Sequence, residues 1–167
     1  ELLKLADQKH YGVFFLGARQ VVVEKVVEWT RNHHPGVKIA GCRDGYFKQD
    51  QEQQVAEVIR DSRADILFVA ITPPKKEIFL RKYSKMMGVP VCHGVGGSFD
   101  VVAGVTKRAP VWMQKTGMEW FYRILQEPGR MWKRYFVTNT KFIWLSFVEI
   151  LKCRLRIKKQ EIQTDNI

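Results

Sequence analysis

Apolar and polar positions follow two patterns along the first hundred residues of the chain. Runs rich in β-branched and aromatic residues predict buried strands. These runs cover residues 11–16, 37–42, 65–71 and 89–92. Between them, segments 20–34, 50–61 and 75–87 repeat apolar residues at helical spacing. Strands and helices that alternate through short connections predict an α/β domain with a doubly wound, parallel sheet.

The chain opens on a further helical pattern. Leu2, Leu3, Leu5 and Ala6 form the apolar side of an amphipathic helix that has no capping residue before it. The sequence also begins at Glu1 rather than at Met. We therefore expect that further residues precede Glu1.

Polar or glycine-rich segments follow the predicted strands at residues 44–47, 72–77 and 94–100. In a doubly wound sheet, ligands bind outside the carboxyl ends of the strands. We therefore expect the functional site to be built from these segments.

The glycine-rich segment contains the residues that best suit a phosphate. It reads Gly94, Val95, Gly96 and Gly97, and a glycine has no Cβ to keep a pyrophosphate away from its backbone N–H group. The spacing matches neither a complete GxGxxG motif nor a Walker A motif, so a tight strand-to-helix turn is the alternative. Asp100 either accepts hydrogen bonds from a ribose or a base, or caps the helix that follows.

The other segments offer aromatic and basic side chains. Tyr46 and Phe47 either stack on a base or pack over the edge of the sheet. Lys75 and Lys76 fall in the first turn of a predicted helix, where the dipole disfavours a cation unless an anionic ligand lies nearby. Glu77 suits the same dipole, and a structural role is its default interpretation.

After the glycine-rich segment the chain becomes helical, basic and aromatic, and no further strand is predicted. We divide it into residues 1–106 and 107–167. The net charge is +11, and its distribution is uneven: residues 1–100 hold 15 basic and 12 acidic side chains, whereas residues 101–167 hold 13 and 5. This excess favours an anionic partner, which is nucleic acid, anionic lipid or a phosphorylated substrate.

Residues 141–159 discriminate between these partners. An apolar and aromatic run from Phe142 to Leu151 is followed by a cluster of basic side chains. This combination is typical of an amphipathic helix that lies on an anionic membrane. A nucleic-acid surface would explain the charge but not the apolar run, so we expect no nucleic-acid partner. No apolar run approaches the roughly 20 residues of a membrane-spanning helix.

Cysteine and histidine positions exclude several other classes of site. Cys42, Cys92 and Cys153 are odd in number and form no CxxC pair, which argues against a disulfide scaffold and a cysteine zinc site and fits a reducing compartment. His93 has no His, Asp or Glu at metal-ligand spacing, so we expect no metal.

Several stretches together resemble the WecG/TagA/CpsF family of bacterial glycosyltransferases. They are FFLGA (14–18), HPGVKIAGCRDGYF (34–47), ADILFVAITPPKKE (64–77) and a long stretch from GVGGSFD to MWKRY (94–135). The resemblance implies a Rossmann-like core, residues 1–106, that binds a nucleotide sugar. It further implies a basic helical appendage, residues 107–167, that completes the active site and associates with the membrane.

The resemblance also implies an activity. Members are inverting, metal-independent transferases that need no cofactor. They typically move N-acetylmannosamine from a UDP-sugar donor onto a polyprenyl-diphosphate-linked N-acetylglucosamine acceptor. The implied location is cytoplasmic, peripheral at the inner face of the bacterial plasma membrane, in the synthesis of teichoic acid or another cell-surface polysaccharide.

Site residues follow from the resemblance position by position. Tyr46 and Asp100 resemble uridine-pocket residues, and the loop Gly94, Val95, Gly96, Gly97 lines that pocket. Basic side chains expected on the donor diphosphate are Arg123, Arg130 and Lys133.

This sequence departs from the family pattern in places. Thr72 and Lys76 replace the glycine and the glutamine of the family's Gly-x-Pro-x-Gln-Glu motif, so donor contacts there are expected to differ, with Lys76 among the substrate-binding candidates. The family's amino-terminal region, which carries the proposed catalytic Asp, is expected upstream of Glu1. The chain alone is therefore expected to be weakly active or inactive. A nucleic-acid-binding module and a non-catalytic nucleotide-binding module are the alternatives.

Overall fold

The computed structural model of the chain describes residues 1–126, 129, 140, 142 and 144–150. The Cα positions form two compact units, Glu1–Arg108 and Ala109–Ile167. We call them the first and second unit and describe each by itself.

The first unit alternates strands and helices. Its strands are β1 (Gly12–Gly17), β2 (Lys38–Arg43), β3 (Ile66–Ala70) and β4 (Val91–Gly94). Its helices are α1 (Leu2–Lys9), α2 (Gln20–His33), α3 (Glu52–Asp61), α4 (Lys75–Met87) and α5 (Ser98–Val102), with a 3₁₀ turn at Gln49–Gln51. The predicted helix at the start of the chain is confirmed, although Leu5 is exposed while Ala6 is buried.

The strands form one parallel sheet in the order β2-β1-β3-β4. The predicted α/β class with a parallel, Rossmann-like sheet is therefore confirmed. The chain leaves β1 towards β2 and then returns to pair β3 on the other side of β1. The order of the strands thus reverses between β1 and β3, and a crevice forms at the carboxyl ends of such a pair.

The fourth strand begins later than its sequence predicts. The apolar run starts at residue 89, but Pro90 has no N–H group to donate to a neighbouring strand. The first ladder contact is therefore made by Val91, whose N–H donates to the carbonyl of Asp65. At its other end the strand extends to Gly94, which pairs with Val69 and so lies in β4 rather than in the loop.

Apolar side chains cover both faces of the sheet. On one face, alternate residues of β1 and β3 pack against α3 and α4; this core includes Phe14, Leu16, Leu67, Val69, Ile59 and Phe79. On the other face, the intervening residues pack against α1, α2 and α5; this core includes Val13, Phe15, Phe68, Val23, Val26 and Phe99. Because β1 and β3 are buried on both sides, their sequences are apolar throughout. All of β4 is exposed.

The second unit contains α6 (Val111–Lys115), α7 (Glu119–Gln126) and a helical segment at 144–150. Apolar and aromatic side chains remain exposed on each of these: Trp112, Trp120, Phe121, Leu125, Trp144, Leu145, Phe147 and Ile150. Within the described part of the chain, no helix is long and apolar enough to cross a membrane.

The central position of β3 gives a stability prediction. Leu67 is fully buried, so Leu67→Ala is expected to lower the free energy of unfolding by about 2–5 kcal/mol through lost burial and a residual cavity. Val21→Ala on α2, where the side chain is 64% exposed, is the matched control and should change it by less than about 0.5 kcal/mol. Urea denaturation measures both, and equal losses would contradict the assignment of the core.

Candidate active site at the carboxyl rim of the sheet

Three loop backbones lie against one another at the carboxyl ends of β1, β2 and β3. A Cβ on Gly17 would lie 2.8 Å from the Cα of Ala70, and the φ of Gly17 is +130°. The N–H of Ala18 donates to the carbonyl of Ala70 at 3.1 Å, and the N–H of Gly45 donates to the carbonyl of Ala18 at 2.9 Å. We call this assembly the rim; it fixes where the following loops begin.

The loop after β2 presents Tyr46 to solvent. A carboxylate oxygen of Asp44 accepts a hydrogen bond of 2.7 Å from the backbone N–H of Tyr46, which forms a tight Asx turn. The side chain of Tyr46 is 74% exposed, whereas Phe47 is buried and packs on Phe79 of α4 with 5.6 Å between ring centroids. The two aromatic residues therefore differ: Phe47 packs onto the core, and Tyr46 is available to a ligand.

The two lysines at the start of α4 have different surroundings. Lys75 Nζ donates a 2.6 Å hydrogen bond to the carbonyl of Phe47 and lies 3.9 Å from the centroid of its ring. Lys76 Nζ lies 3.1 Å from a carboxylate oxygen of Glu77. The loop leading into α4 contains a cis peptide bond between Pro73 and Pro74.

The amine of Lys76 also lies against the glycine-rich segment. It occupies the space beside Gly94, since a Cβ built there would be 2.8 Å from it. A hydrogen bond from its own backbone N–H and the neighbouring ammonium of Lys76 hold the pKa of the Glu77 carboxyl below its usual value. Lys76 and Glu77 thus place an ionised pair beside the end of β4.

The glycine-rich segment turns from β4 into α5. The N–H of Val95 donates to the carbonyl of Val69 at 3.0 Å and so continues the ladder one residue beyond β4. Gly96 has a φ of +54°, a conformation that favours glycine, and Gly97 precedes α5. The predicted strand-to-helix turn is present, and its role as a phosphate loop stays a prediction.

Asp100 lies inside α5 and is half-buried. Gly97 occupies the capping position before this helix and Asp100 is the third residue within it, so the interpretation of Asp100 as a cap is wrong. Within the described residues its carboxylate has no hydrogen-bond or ion-pair partner. Its backbone carbonyl accepts hydrogen bonds from Val105 and Thr106, which fold the chain back over the helix end.

The predicted diphosphate-binding residues fall in the second unit. Arg123 belongs to α7. Arg130 and Lys133 lie outside the residues that the structure describes.

Sequence reasoning missed two arginines near the rim. Arg43 is the last residue of β2, opposite Leu16 in register, and Arg19 stands directly before α2. Neither guanidinium has a partner among the described residues. The sequence could have indicated both residues. Arg43 lies at the carboxyl end of a predicted strand, and Arg19 lies at the start of the helix that follows β1.

Histidine, cysteine and carboxylate side chains are the groups that could form a metal site. Over the ranges that the structure describes, no group of three or more of them lies close enough to hold an ion.

The chain matches a protein-family model over residues 1–157, and that family is described as the glycosyl transferase WecG/TagA/CpsF family. The resemblance found in the sequence is thereby confirmed.

Curated relatives are similar to the chain over most of its length. An N-acetylglucosaminyldiphosphoundecaprenol N-acetyl-beta-D-mannosaminyltransferase of Bacillus spizizenii is 44% identical over 133 residues, which are 80% of this chain and 51% of the relative. The protein with the same name from Bacillus subtilis is 42% identical over 134 residues, with the same shares. The chain thus spans about half the length of the curated relatives it matches.

Backbone contact at the rim gives a prediction about Gly17. Gly17→Ala is expected to lower the free energy of unfolding by about 2–6 kcal/mol, because the added Cβ meets the backbone of Ala70 in a conformation that disfavours a side chain. Gly88→Ala is the control, since Gly88 also has positive φ but open space around it, and should cost about 1 kcal/mol. Urea denaturation measures both variants. If both substitutions lowered the free energy of unfolding equally, positive φ alone, and not the close backbone contact, would explain why position 17 requires glycine.

Proposed function

Because the chain belongs to the WecG/TagA/CpsF family of glycosyl transferases, we propose that it is the nucleotide-binding and membrane-associating part of a hexosyltransferase. The proposed reaction moves N-acetylmannosamine from a UDP donor onto a polyprenyl-diphosphate-linked N-acetylglucosamine, with inversion and without a metal. The proposal is carried by the relatives named for that acceptor and sugar, which are 42–44% identical to this chain over 80% of its length.

The rim supplies groups that suit a uridine nucleotide. The exposed ring of Tyr46 offers a face on which uracil stacks, a contact that is worth about 1–3 kcal/mol per base. The carboxylate of Asp100, which has no partner among the described residues, accepts hydrogen bonds from ribose hydroxyls. The turn that follows Gly94 lets the diphosphate approach the backbone N–H groups of Gly96 and Gly97.

Transfer requires stabilisation of the leaving group. The acceptor hydroxyl oxygen attacks the anomeric carbon, the bond from that carbon to the diphosphate breaks, and UDP leaves with the bonding electrons. Arginine guanidinium groups bind phosphate oxygens in a bidentate manner and neutralise the developing charge. We assign this role to Arg123, Arg130 and Lys133, in place of a divalent cation.

The acceptor proton needs a general base, which we place outside residues 1–167. The family's base is an Asp in its amino-terminal region, and this chain covers about half of each relative. The chain alone is accordingly proposed to bind UDP but to transfer sugar weakly or not at all.

The second unit is proposed to lie on the cytoplasmic face of the plasma membrane. Its exposed aromatic and aliphatic residues would insert among lipid acyl chains, and its basic side chains would attract anionic headgroups. This arrangement would bring the lipid-linked acceptor to the enzyme while the donor arrives from solution.

The nucleotide assignment gives a binding prediction. UDP is expected to bind the chain, and Tyr46→Ala is expected to weaken binding about tenfold because the stacking face is lost. Isothermal titration calorimetry measures the Kd. Tyr11→Ala removes another exposed tyrosine, which lies directly before β1 at the end of the strand opposite to the rim. This variant is the matched control and should leave the Kd unchanged.

Catalysis is tested separately from binding. An extended chain in which the family's amino-terminal region precedes residues 1–167, supplied with UDP-N-acetylmannosamine and polyprenyl-diphosphate-linked N-acetylglucosamine, should release UDP and form the disaccharide lipid. Failure of the 167-residue chain to bind UDP would contradict the proposed site, whereas binding without transfer by the extended chain would contradict the proposed reaction.

The membrane assignment gives another prediction. The chain should sediment with vesicles containing phosphatidylglycerol and much less with neutral phosphatidylcholine vesicles, because basic residues contribute about 1 kcal/mol each near an anionic surface. Leu145→Ala should weaken sedimentation several-fold. The side chain of Leu145 is 56% exposed in the second unit, and Ile78, 57% exposed in the first unit, provides the control variant Ile78→Ala. Equal effects of the two variants would place the membrane contact elsewhere.

A further inference from the structure

We propose that Lys75 is a positioning residue that holds Tyr46 in place to receive the base of the nucleotide. This inference rests on the proposed function, since it concerns the same uridine site. In this role Lys75 acts through the loop that carries Tyr46 and does not itself contact the substrate.

Three consecutive residues of the loop after β2 are fixed through their backbone. The N–H of Gly45 donates to the carbonyl of Ala18. The N–H of Tyr46 donates to Asp44. The carbonyl of Phe47 accepts the hydrogen bond from Lys75. Tyr46 lies in the middle of this fixed segment, with its own side chain exposed.

Lys75 joins the backbone of this loop to α4. Its ammonium donates to the carbonyl of Phe47 at 2.6 Å and also lies over the ring of the same residue at 3.9 Å. The attraction between a cation and the face of an aromatic ring adds to the charge-assisted hydrogen bond. Within the described residues no carboxylate pairs with this ammonium.

The position of Lys75 is unfavourable for a cation by itself. It is the first residue of α4, where the helix dipole repels positive charge. The carbonyl and the ring of Phe47 offset that repulsion, and Phe47 is in turn anchored to the core by Phe79. The interaction thus links a buried aromatic pair, a lysine and the loop that carries Tyr46.

Fixing the loop before the nucleotide arrives favours binding. A loop that is already ordered loses little conformational entropy when its aromatic ring stacks on a base. Without Lys75, the loop keeps its hydrogen bonds at Gly45 and Tyr46 but loses the hydrogen bond at the carbonyl of Phe47. The exposed ring would then sample other orientations.

A double-mutant cycle on UDP binding tests the inference. Lys75→Met is expected to raise the Kd for UDP about fivefold, Tyr46→Ala about tenfold, and the double variant no more than Tyr46→Ala alone, because Lys75 acts only through Tyr46. Inorganic pyrophosphate, which has no base to stack, should bind Lys75→Met and the wild type equally. Lys85→Met removes a charge from the last turn of the same helix and should leave both affinities unchanged.

Each contrary result has a distinct meaning. Absence of UDP binding to the wild type would overturn the proposed function itself. Additive effects in the cycle, or weaker pyrophosphate binding by Lys75→Met, would overturn the positioning role and assign Lys75 a direct contact with phosphate. If Lys75→Met does not fold, Lys75→Gln is used instead, because its amide retains a donor for the carbonyl of Phe47. The Kd of this variant for UDP should lie within about twofold of the wild-type value. A full fivefold loss of affinity would overturn the inference.

Discussion

Close backbone contact between Gly17 and Ala70 determines how the rest of the rim is arranged. Strands β1 and β3 end side by side, and the chain can turn away from both only because position 17 carries no Cβ. The N–H of Ala18 then bonds to Ala70, and its carbonyl receives the N–H of Gly45. The loops that carry Tyr46 and the lysines of α4 extend from this point. The sheet consequently sets where these loops begin, and contacts such as those of Asp44 with Tyr46 and of Lys75 with Phe47 set the rest of their geometry.

Most of the architecture could be predicted because it depends on patterns that a linear sequence displays. Strands buried on both faces, such as β1 and β3, must be apolar throughout, and alternation with amphipathic helices implies parallel pairing. The location of the candidate site followed from the same topology. Pro90 delayed the start of β4 because its missing N–H outweighs the apolar pattern.

Other features depend on side-chain geometry that the sequence does not display. Lys75 and Lys76 are adjacent and chemically identical, yet one contacts the loop after β2 and the other lies beside Gly94. Tyr46 and Phe47 are adjacent aromatics, and only Phe47 is buried. Periodicity cannot distinguish such neighbours, because the choice depends on which partner the sheet brings within reach. For Asp100, the capping role was equally plausible in sequence, but Gly97 occupies the capping position in the fold.

The contact between Lys76 and Gly94 determines what a side chain at position 94 would do. A Cβ there would first meet the end of the Lys76 side chain, which is flexible and can move away, and not a backbone atom. A small residue at 94 would therefore leave the sheet intact and displace the amine of Lys76. Because that amine pairs with Glu77, the sheet residue at 94 controls where a positive charge lies without touching any ligand itself.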